Sequence, residues 1–586
     1  MNNPRTSTKE LIKIITASSV GTLIEWYDFF VFGSLAVIIS TQFFPKDNPT
    51  AAFLATLATY AAGLVVRPFG ALFFGRLGDL IGRKYTFMVT LLLMGGSTFA
   101  IGLVPTYQTI GFMAPLIILI LRLLQGLAIG GEYGGAATFV AEHSPEGKRG
   151  FWTSWIQITA SLAFLLTLLV IFIFKNAMAP SAWESWGWRL PFLVSVFMIG
   201  ISVYIRKNMA ESPLFAKAKA EGKTSTNPLK ESFGNKANLK LVLLALFGVT
   251  MGMGALAWST LFYAQTYFTR FMFIDYDQVN TIIIIGILLF FGFNIFFGWL
   301  SDSIGRKPLI VLSLLLAVLC YRPIYNTMYQ TVNLSQKVEN HSATKIETKT
   351  EAFSAASTDS IVTTTTHRFY IDGTAATEIK KEHNGKVEFD KTITLNATDK
   401  WTLIFMFFLI CLINTMSYGP VAAFLVEMFP LKIRYSSMSV PYHIGYGIFG
   451  GLCPVIATYM IQKDKLANVS DYYLSGLNYP LVLIGLSFVI GVLYLKESDA
   501  VKPIFNFSII PTNILNTIKR YLGIVWIALG LAAAYFGVVE LGLPKINLGI
   551  QDDLIFGIIT LVFITPIASI GLCLFGKYAL EREYDG

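Results

Sequence analysis

Gly75-Arg-Leu-Gly-Asp79-Leu-Ile-Gly-Arg83-Lys84 stands between two long apolar runs, and the chain writes the same pattern again as Gly298-Trp-Leu-Ser-Asp302-Ser-Ile-Gly-Arg306-Lys307. A polar turn of the form G-x-L-x-D-x-x-G-R-K that returns 223 positions later, from Asp79 to Asp302, marks an internal duplication. Around it the chain has 586 residues, of which 54% are hydrophobic and only 14% charged. Ordinary soluble domains carry roughly 25% charged residues. The composition therefore predicts a polytopic membrane protein, and doubled membrane halves are the usual build of secondary transporters.

The +9 net charge raises nucleic acid as a partner, but Lys and Arg are scattered through short loops rather than gathered on one face, so none is expected. Cys320, Cys411, Cys453 and Cys573 all lie in apolar runs without metal-ligand spacing. They read as small core residues, with no disulfide, no metal and no cofactor expected. The first apolar stretch carries charges in its middle and runs past signal-peptide length, so no cleavable leader is expected.

Apolar runs of about 20 residues, enough to cross a bilayer, fall near 13–40, 51–75, 86–105, 112–141, 151–174 and 188–206. They predict an N-terminal six-helix half over 1–206, followed by a Lys-rich linker at 207–240. Runs near 241–264, 279–300, 308–328, 400–427, 437–461 and 477–495 make a second half over 241–497. An extension at 498–586 adds a hairpin within 521–576, for 14 spans in all. Basic residues in short loops (Arg76/Arg83/Lys84, Lys148/Arg149, the linker, Arg306/Lys307, Lys432/Arg434, Lys519/Arg520) fall on one side of this threading, which predicts that side, and both termini, to be cytoplasmic.

A second repeat locates an insertion. Glu142 in Ala141-Glu142-His-Ser-Pro145-Glu-Gly-Lys148-Arg149 matches Glu427 in Val426-Glu427-Met-Phe-Pro430-Leu-Lys432-Ile-Arg434 at an offset of 285, which exceeds the first by 62 residues. The excess falls in the polar stretch 330–399, on the outer side. Thr363 to Ile371 is β-rich, and Glu378–His383 and Lys386–Thr394 flank Asn384-Gly385, a dipeptide suited to a tight hairpin turn. A solvated decoration is the first expectation for so small a sheet, with a ligand- or partner-binding cap as the alternative.

The two turns, placed between spans 2/3 and 8/9, resemble the major facilitator superfamily. Gly21-Thr-Leu-Ile-Glu25-Trp-Tyr-Asp28-Phe-Phe, Arg122-Leu-Leu-Gln125-Gly126-Leu-Ala-Ile-Gly130-Gly131-Glu132-Tyr-Gly134-Gly135, Trp186-Gly-Trp-Arg189-Leu-Pro191-Phe and Glu211-Ser-Pro213-Leu-Phe215 narrow the resemblance to the metabolite:H+ symporter family. It covers about residues 12–497 without the insert. It implies an all-α fold of two six-helix halves in a bacterial inner membrane. The implied activity is uptake of a small metabolite, such as 2-oxoglutarate, citrate, shikimate, proline or betaine, together with a proton. The insert and the last two spans depart from the family pattern of twelve helices.

A charge kept in the bilayer core costs roughly 2.5–3.5 kcal/mol on insertion scales, so each is a functional candidate. Glu25 and Asp28 share one helix face near the middle of span 1, where two close carboxylates would resist ionising together and one could carry the coupling proton. His443 is a second proton candidate. Arg122, whose planar fork suits a carboxylate, is expected to bind the substrate, with Gln125, Tyr27, Trp258, Tyr263 and Asn414 around it. Arg67 and Glu132 read as a structural charge pair. Asp79 and Asp302 are expected at positive helix ends, and Arg83, Lys84, Arg306 and Lys307 beside Glu142 and Glu427, as a cytoplasmic gate. Glycines 126, 130 and 134 have small-xxx-small spacing for close helix contact. No Ser/His/Asp, metal or phosphate-loop constellation supports an enzyme. An uncoupled facilitator and, further off, a membrane sensor that uses the insert are the alternatives. A monomer is expected, with the partners of the insert and hairpin open.

Overall fold

The computed structural model describes residues 8–45, 49–81, 83–131, 133–145, 147–207, 228–352, 360–383, 386–430, 434–498, 512–547, 554, 557–558 and 560–585. In chain order the helices are α1 (Thr8–Ser34), α2 (Ala36–Phe43), α3 (Pro49–Val65), α4 (Arg67–Ile81), α5 (Arg83–Leu103), α6 (Met113–Gly130), α7 (Tyr133–His143), α8 (Arg149–Ala177) and α9 (Gly187–Tyr204). The second half continues with α10 (Lys236–Phe271), α11 (Tyr276–Ile304), α12 (Arg306–Val332), α13 (Ala397–Met428), α14 (Ser436–Leu466) and α15 (Asn478–Tyr494). Then come α16 (Thr512–Asn547) and α17 (Thr560–Leu580). Long apolar runs leave the backbone only its own groups to bond with, and helices satisfy them locally. Side-chain caps fix three starts: Asn235 accepts from Ala237 N, Asp275 from Asp277 N and Gln278 N, and Asn396 from Asp399 N.

Among the described residues, eleven helices are long and apolar enough to cross a membrane, or twelve with the bent pair α1–α2 taken as one span, against the fourteen expected. Met88–Leu103 and Asn478–Tyr494 are apolar but shorter. The bend between α1 and α2 is 62°. Wide π-type turns interrupt α10 at Leu246–Thr250 and Tyr267–Phe271, and α14 at His443–Gly450. Such turns gather at functional sites.

The stretch between α12 and α13 folds as an antiparallel meander of four strands: β1 (Lys345–Ala352), β2 (Ser360–Phe369), β3 (Ala375–His383) and β4 (Lys386–Thr394). The sequence reading missed β1 because Lys345-Ile-Glu-Thr-Lys-Thr-Glu-Ala352 has almost no apolar alternation; it pairs along β2 from Lys345↔His367 to Ala352↔Ser360. β2 also stops short of Ile371, where the chain turns. Asn384-Gly385 lies outside the described residues. At the base of the sheet the Lys337 ammonium sits 2.5 Å from both Asp372 and Asp399. Partial burial works against that charge, but the two carboxylates outweigh it and hold Lys337 above its ordinary pKa. Partial burial raises Asp372, and hydrogen bonds from Lys337 and Thr374 more than reverse this, leaving it below the usual carboxylate range. Glu339 is lowered by the Thr344 hydroxyl and then by Arg368.

The extension packs as a hairpin on the second half. Gly523 of α16 and Gly576 of α17 let the two backbones touch: a Cβ on Gly576 would lie 2.5 Å from the Gly523 carbonyl oxygen. Phe575 sits between Tyr494 and Phe247, with ring centroids 5.0 and 6.3 Å away. Beyond α17, Glu581 and Glu583 pair with Lys236 at 2.7 and 3.0 Å, fastening the end of the chain to the start of α10.

Candidate functional site

Two buried arginines come from neighbouring helices of the first half, and their surroundings differ. Arg122 on α6 is fully enclosed by that half: Nη1 donates to Gln125 Oε1 at 2.5 Å and to the Phe29 carbonyl at 3.5 Å, and Nη2 to the Tyr60 carbonyl at 3.4 Å. Phe29, Tyr60 and Phe32 stack about it at 4.1, 4.6 and 4.8 Å. Gln125 in turn donates to Thr98 Oγ1 at 2.6 Å. Arg122 and Gln125, expected to meet the substrate, are thus joined to each other inside the bundle.

Arg67, at the start of α4, is equally buried, yet none of its three guanidinium nitrogens has a hydrogen-bond partner among the described residues. It lies 4.7 Å from the Trp26 ring and faces Tyr442, Tyr446 and Tyr418 of the second half. Glycines bring the chain close enough for this. A Cβ on Gly130 would run into the Arg67 carbonyl oxygen, and one on Gly447 would lie 2.6 Å from that of Leu64 and 3.5 Å from Arg67 Cδ. Glu132, its expected partner, lies outside the described residues.

Around Arg67 the two halves meet through a belt of aromatic rings. Tyr133 stacks on Tyr442 at 3.9 Å, Tyr442 on Tyr446 at 5.4 Å, and Tyr446 reaches Trp26 at 6.1 Å and Trp258 at 5.8 Å. Tyr133 Oη donates to Gln157 Oε1 at 2.9 Å, whose Nε2 donates across to the Tyr418 carbonyl at 3.1 Å. Trp258 Nε1 has no partner among the described residues. Tyr133, Gln157, Tyr418, Tyr442 and Tyr446 were missed by the sequence reading. Their signal was present in Tyr442-His-Ile-Gly-Tyr446, where an i, i+4 pair of tyrosines places two rings on one helix face beside small residues.

The other candidates scatter. Asp28 is fully buried, with neither carboxylate oxygen hydrogen-bonded among the described residues; its surroundings are α5 and α9, where a Cβ on Gly95 would come within 3.3 Å of Oδ2. Glu25 is also buried, one turn earlier. Tyr27, expected to meet the substrate, donates its hydroxyl to the Pro191 carbonyl at 2.7 Å, a tie within the first half. Tyr263 packs 5.8 Å from Tyr325 inside the second half. Asn414 is 4% exposed with Oδ1 unpartnered among the described residues. His443 sits edge-on to Tyr442 at 5.4 Å and faces the Gly130 backbone.

Contacts between the halves close both ends of their interface. At the end next to the 207–240 linker, both Asp302 oxygens accept from backbone amides in the first turn of α8, Gly150 N at 2.8 Å and Phe151 N at 2.9 Å. A carboxylate there also meets the positive end of the helix dipole. Glu427 holds Arg306 at 3.4 Å and approaches Arg149 at 3.8 Å, while Arg434 approaches Glu142 at 3.6 Å. Lys307, expected beside Glu142 or Glu427, donates its ammonium to the Leu495 and Val492 carbonyls at the end of α15, at 2.7 and 3.0 Å, and its backbone amide to the Glu497 carboxylate at 3.1 Å. The side chains of Asp79, Arg83 and Lys84 lie outside the described residues. At the opposite end Lys175 pairs with Asp277 at 2.6 Å, and Tyr276 Oη donates to the Ser34 carbonyl at 3.0 Å. Deeper in, Phe262 stacks on Tyr60 at 4.8 Å.

The sugar (and other) transporter family matches residues 13–346, more than half of the chain. The chain belongs to that family, within the major facilitator superfamily. Family members similar to it include the proline/betaine transporter of Escherichia coli (strain K12), 28% identical over 79% of this chain and 81% of the relative. A putative metabolite transport protein of Haemophilus influenzae is 32% identical over 82% and 94%. The citrate-proton symporter of Klebsiella pneumoniae is 28% identical over 78% and 86%. In fold the chain resembles the proton:xylose symporter XylE bound to 6-bromo-6-deoxy-D-glucose, with a TM-score of 0.59 at 16% identity, covering 84% of this chain and 98% of that one. Residues 515–586 match a separate family of unknown function (DUF6814). The family is one of membrane transporters of metabolites rather than of enzymes.

Proposed function

We propose that this chain brings a small carboxylate-bearing metabolite, an organic acid or a zwitterion, into the cell together with a proton, by alternating access. The observation that carries the reading is Arg67: a buried guanidinium without a hydrogen-bond partner among the described residues, at the seam where two halves would rock. A buried charge left unpaired is costly, and a bidentate carboxylate would satisfy it. Trp26, Tyr446 and Trp258 offer π faces that suit a cationic head beside that carboxylate. Arg122 and Gln125 then brace the first half from behind. Relatives named for proline/betaine and citrate-proton transport fit this substrate range.

For the proton, Asp28 is the foremost carrier, because its carboxylate is fully buried with neither oxygen hydrogen-bonded among the described residues, a place where a fixed charge is costly. Glu25 and His443 remain secondary carriers. The Asp302, Arg306, Glu427, Arg149, Arg434 and Glu142 contacts act as a gate that shuts the linker end, and Asp79, Arg83 and Lys84 hold the equivalent places in the first repeat. In this reading the linker end and both termini are cytoplasmic, the insert is outside, and the protein sits as a monomer in a bacterial inner membrane. The shorter apolar helices complete fourteen spans: an N-terminal half over 1–206, a second half over 241–497 and the hairpin.

Reconstitution into vesicles with labelled proline, glycine betaine and citrate tests this. Accumulation above the outside concentration, driven by an acid exterior and abolished by an uncoupler, is the expected result. Uptake indifferent to the uncoupler would make the protein a facilitator, and no carboxylate uptake or exchange would overturn the reading.

A further inference from the structure

The insert grips one short segment, the turn between α10 and α11, and that segment is strained. Phe273 has φ +56, a left-handed conformation that is unfavourable for a non-glycine residue. Its flanks are held from the sheet: Ile393 N donates to the Phe273 carbonyl at 2.7 Å, and Asp275 N donates to the Ile393 carbonyl at 2.9 Å. Ile274 thereby pairs with Ile393 as an isolated parallel bridge. One turn on, Gln278 holds Leu395, two residues past Ile393, from both sides, its Oε1 accepting from Leu395 N at 2.7 Å and its Nε2 donating to the Leu395 carbonyl at 3.3 Å.

The same turn carries the contacts that shut this end of the interface. Asp275 caps α11 through Asp277 N and Gln278 N. Tyr276 and Asp277, next along, reach Ser34 and Lys175 of the first half. Just before the turn, Arg270 lies 4.2 Å over the Phe53 ring of α3, with Asp390 of β4 as its nearby opposite charge. The sheet, the strained turn and three points of the first half are therefore linked within nine residues, 270–278.

We propose that the insert is a fixed brace of the gate at its own end of the bundle. It holds the 272–275 turn in the one shape that lets Arg270, Tyr276 and Asp277 reach the first half, and it travels with the second half throughout the cycle. On this account it is neither a lid that lifts off nor a loose decoration, and its grip sets how long that end stays shut. The account rests on the transport reading only for the cycle; gate closure is read without any substrate.

Two arms test it in the full-length protein with its four native cysteines replaced. In the first, Ile274→Cys and Ile393→Cys are oxidised to a disulfide across the bridge; uptake should stay within about twofold of the reduced form. Loss of uptake on oxidation, restored by a reductant, would show that the sheet must leave the turn and would overturn the brace. In the second, Ser34→Cys reports opening through its labelling rate with a membrane-impermeant maleimide. Ile393→Pro, which removes the amide bound to Phe273, should raise that rate about fivefold or more. Phe273→Gly added to it should bring the rate back toward the parent, because glycine accepts the left-handed turn without the grip. Should Ile393→Pro fail to fold, Gln278→Ala takes its place, with a rise of about twofold expected. Unchanged labelling in whichever variant folds would overturn the proposal.

Discussion

Arg122 and Arg67 stand on packed neighbouring helices, both wholly out of water, and differ in what completes them. Arg122 finds its acceptors within its own half: a glutamine side chain, two backbone carbonyls and three ring faces. Arg67 points at rings contributed partly by the other half and has no acceptor among the described residues. A cation satisfied by its own bundle stabilises that bundle. One left for the partner half to complete ties its energy to how the halves sit and to what comes between them.

The largest expected effect separates the two. Arg67→Ala should lower carboxylate uptake by at least about 100-fold, the order expected for two charge-assisted hydrogen bonds, while the folded protein survives. Arg122→Ala should act on stability, with a loss of about 1–3 kcal/mol for each acceptor left unpaired, read by thermal unfolding in detergent. If Arg122→Ala left stability unchanged and abolished substrate affinity, the roles would be reversed.

Asp28 resembles Arg67 in lacking a hydrogen-bond partner among the described residues but sits by α5 and α9 of the first half, so its variant sharpens the contrast between coupling and binding. Asp28→Asn should lose most uphill accumulation, about tenfold for each missing pH unit of driving force, while substrate exchange continues at near the parental rate. Loss of exchange and accumulation together would place Asp28 in substrate binding. Tyr27→Phe extends the Arg122 side of the comparison: losing the bond to Pro191 should cost about 0.5–1.5 kcal/mol of stability, with no change in KM.

The smallest effect concerns the insert, whose charges are paired in water rather than in the membrane. Glu339 and Asp372 lie below the ordinary carboxylate range. Their contribution is therefore fully present above the unfolded value near pH 4 and lost as pH falls through the lower folded values. Trypsin cleavage within the insert, normalised at each pH to that of an unstructured peptide, should be flat from about pH 5 to 8, and brief exposure below about pH 3.5, followed by an acid-active protease, should show it loosening. Loosening near pH 6 would mean that other groups hold it.

Much of the architecture was legible because the membrane forces the pattern. The doubled Asp79/Asp302 turn, the apolar runs and the offset that exposed the insert follow from spans of fixed length and repeated polar turns. Asp302 at a helix start and Arg306 beside Glu427 were readable for the same reason, since short turns admit few geometries. The site was harder. Sequence shows that an arginine is in a span but not which side of the helix faces the seam, and Arg122 and Arg67 differ only in that respect. Tyr133, Tyr442 and Tyr446 resembled ordinary packed aromatics because their stacking is made between distant parts of the chain. β1 was hidden because its Lys/Glu/Thr pattern gains its pairing from β2 rather than from a buried face.

The central claim is that Arg67, and not Arg122, receives the substrate carboxylate. Equilibrium binding of labelled proline, glycine betaine and citrate to purified Arg67→Lys and Arg122→Lys proteins tests it most directly, since lysine keeps the charge and loses the planar fork. Affinity for every carboxylate that the parent binds should fall at least about tenfold in Arg67→Lys and stay within about twofold in Arg122→Lys. Unchanged affinity in Arg67→Lys, with a collapse in Arg122→Lys, would contradict the account.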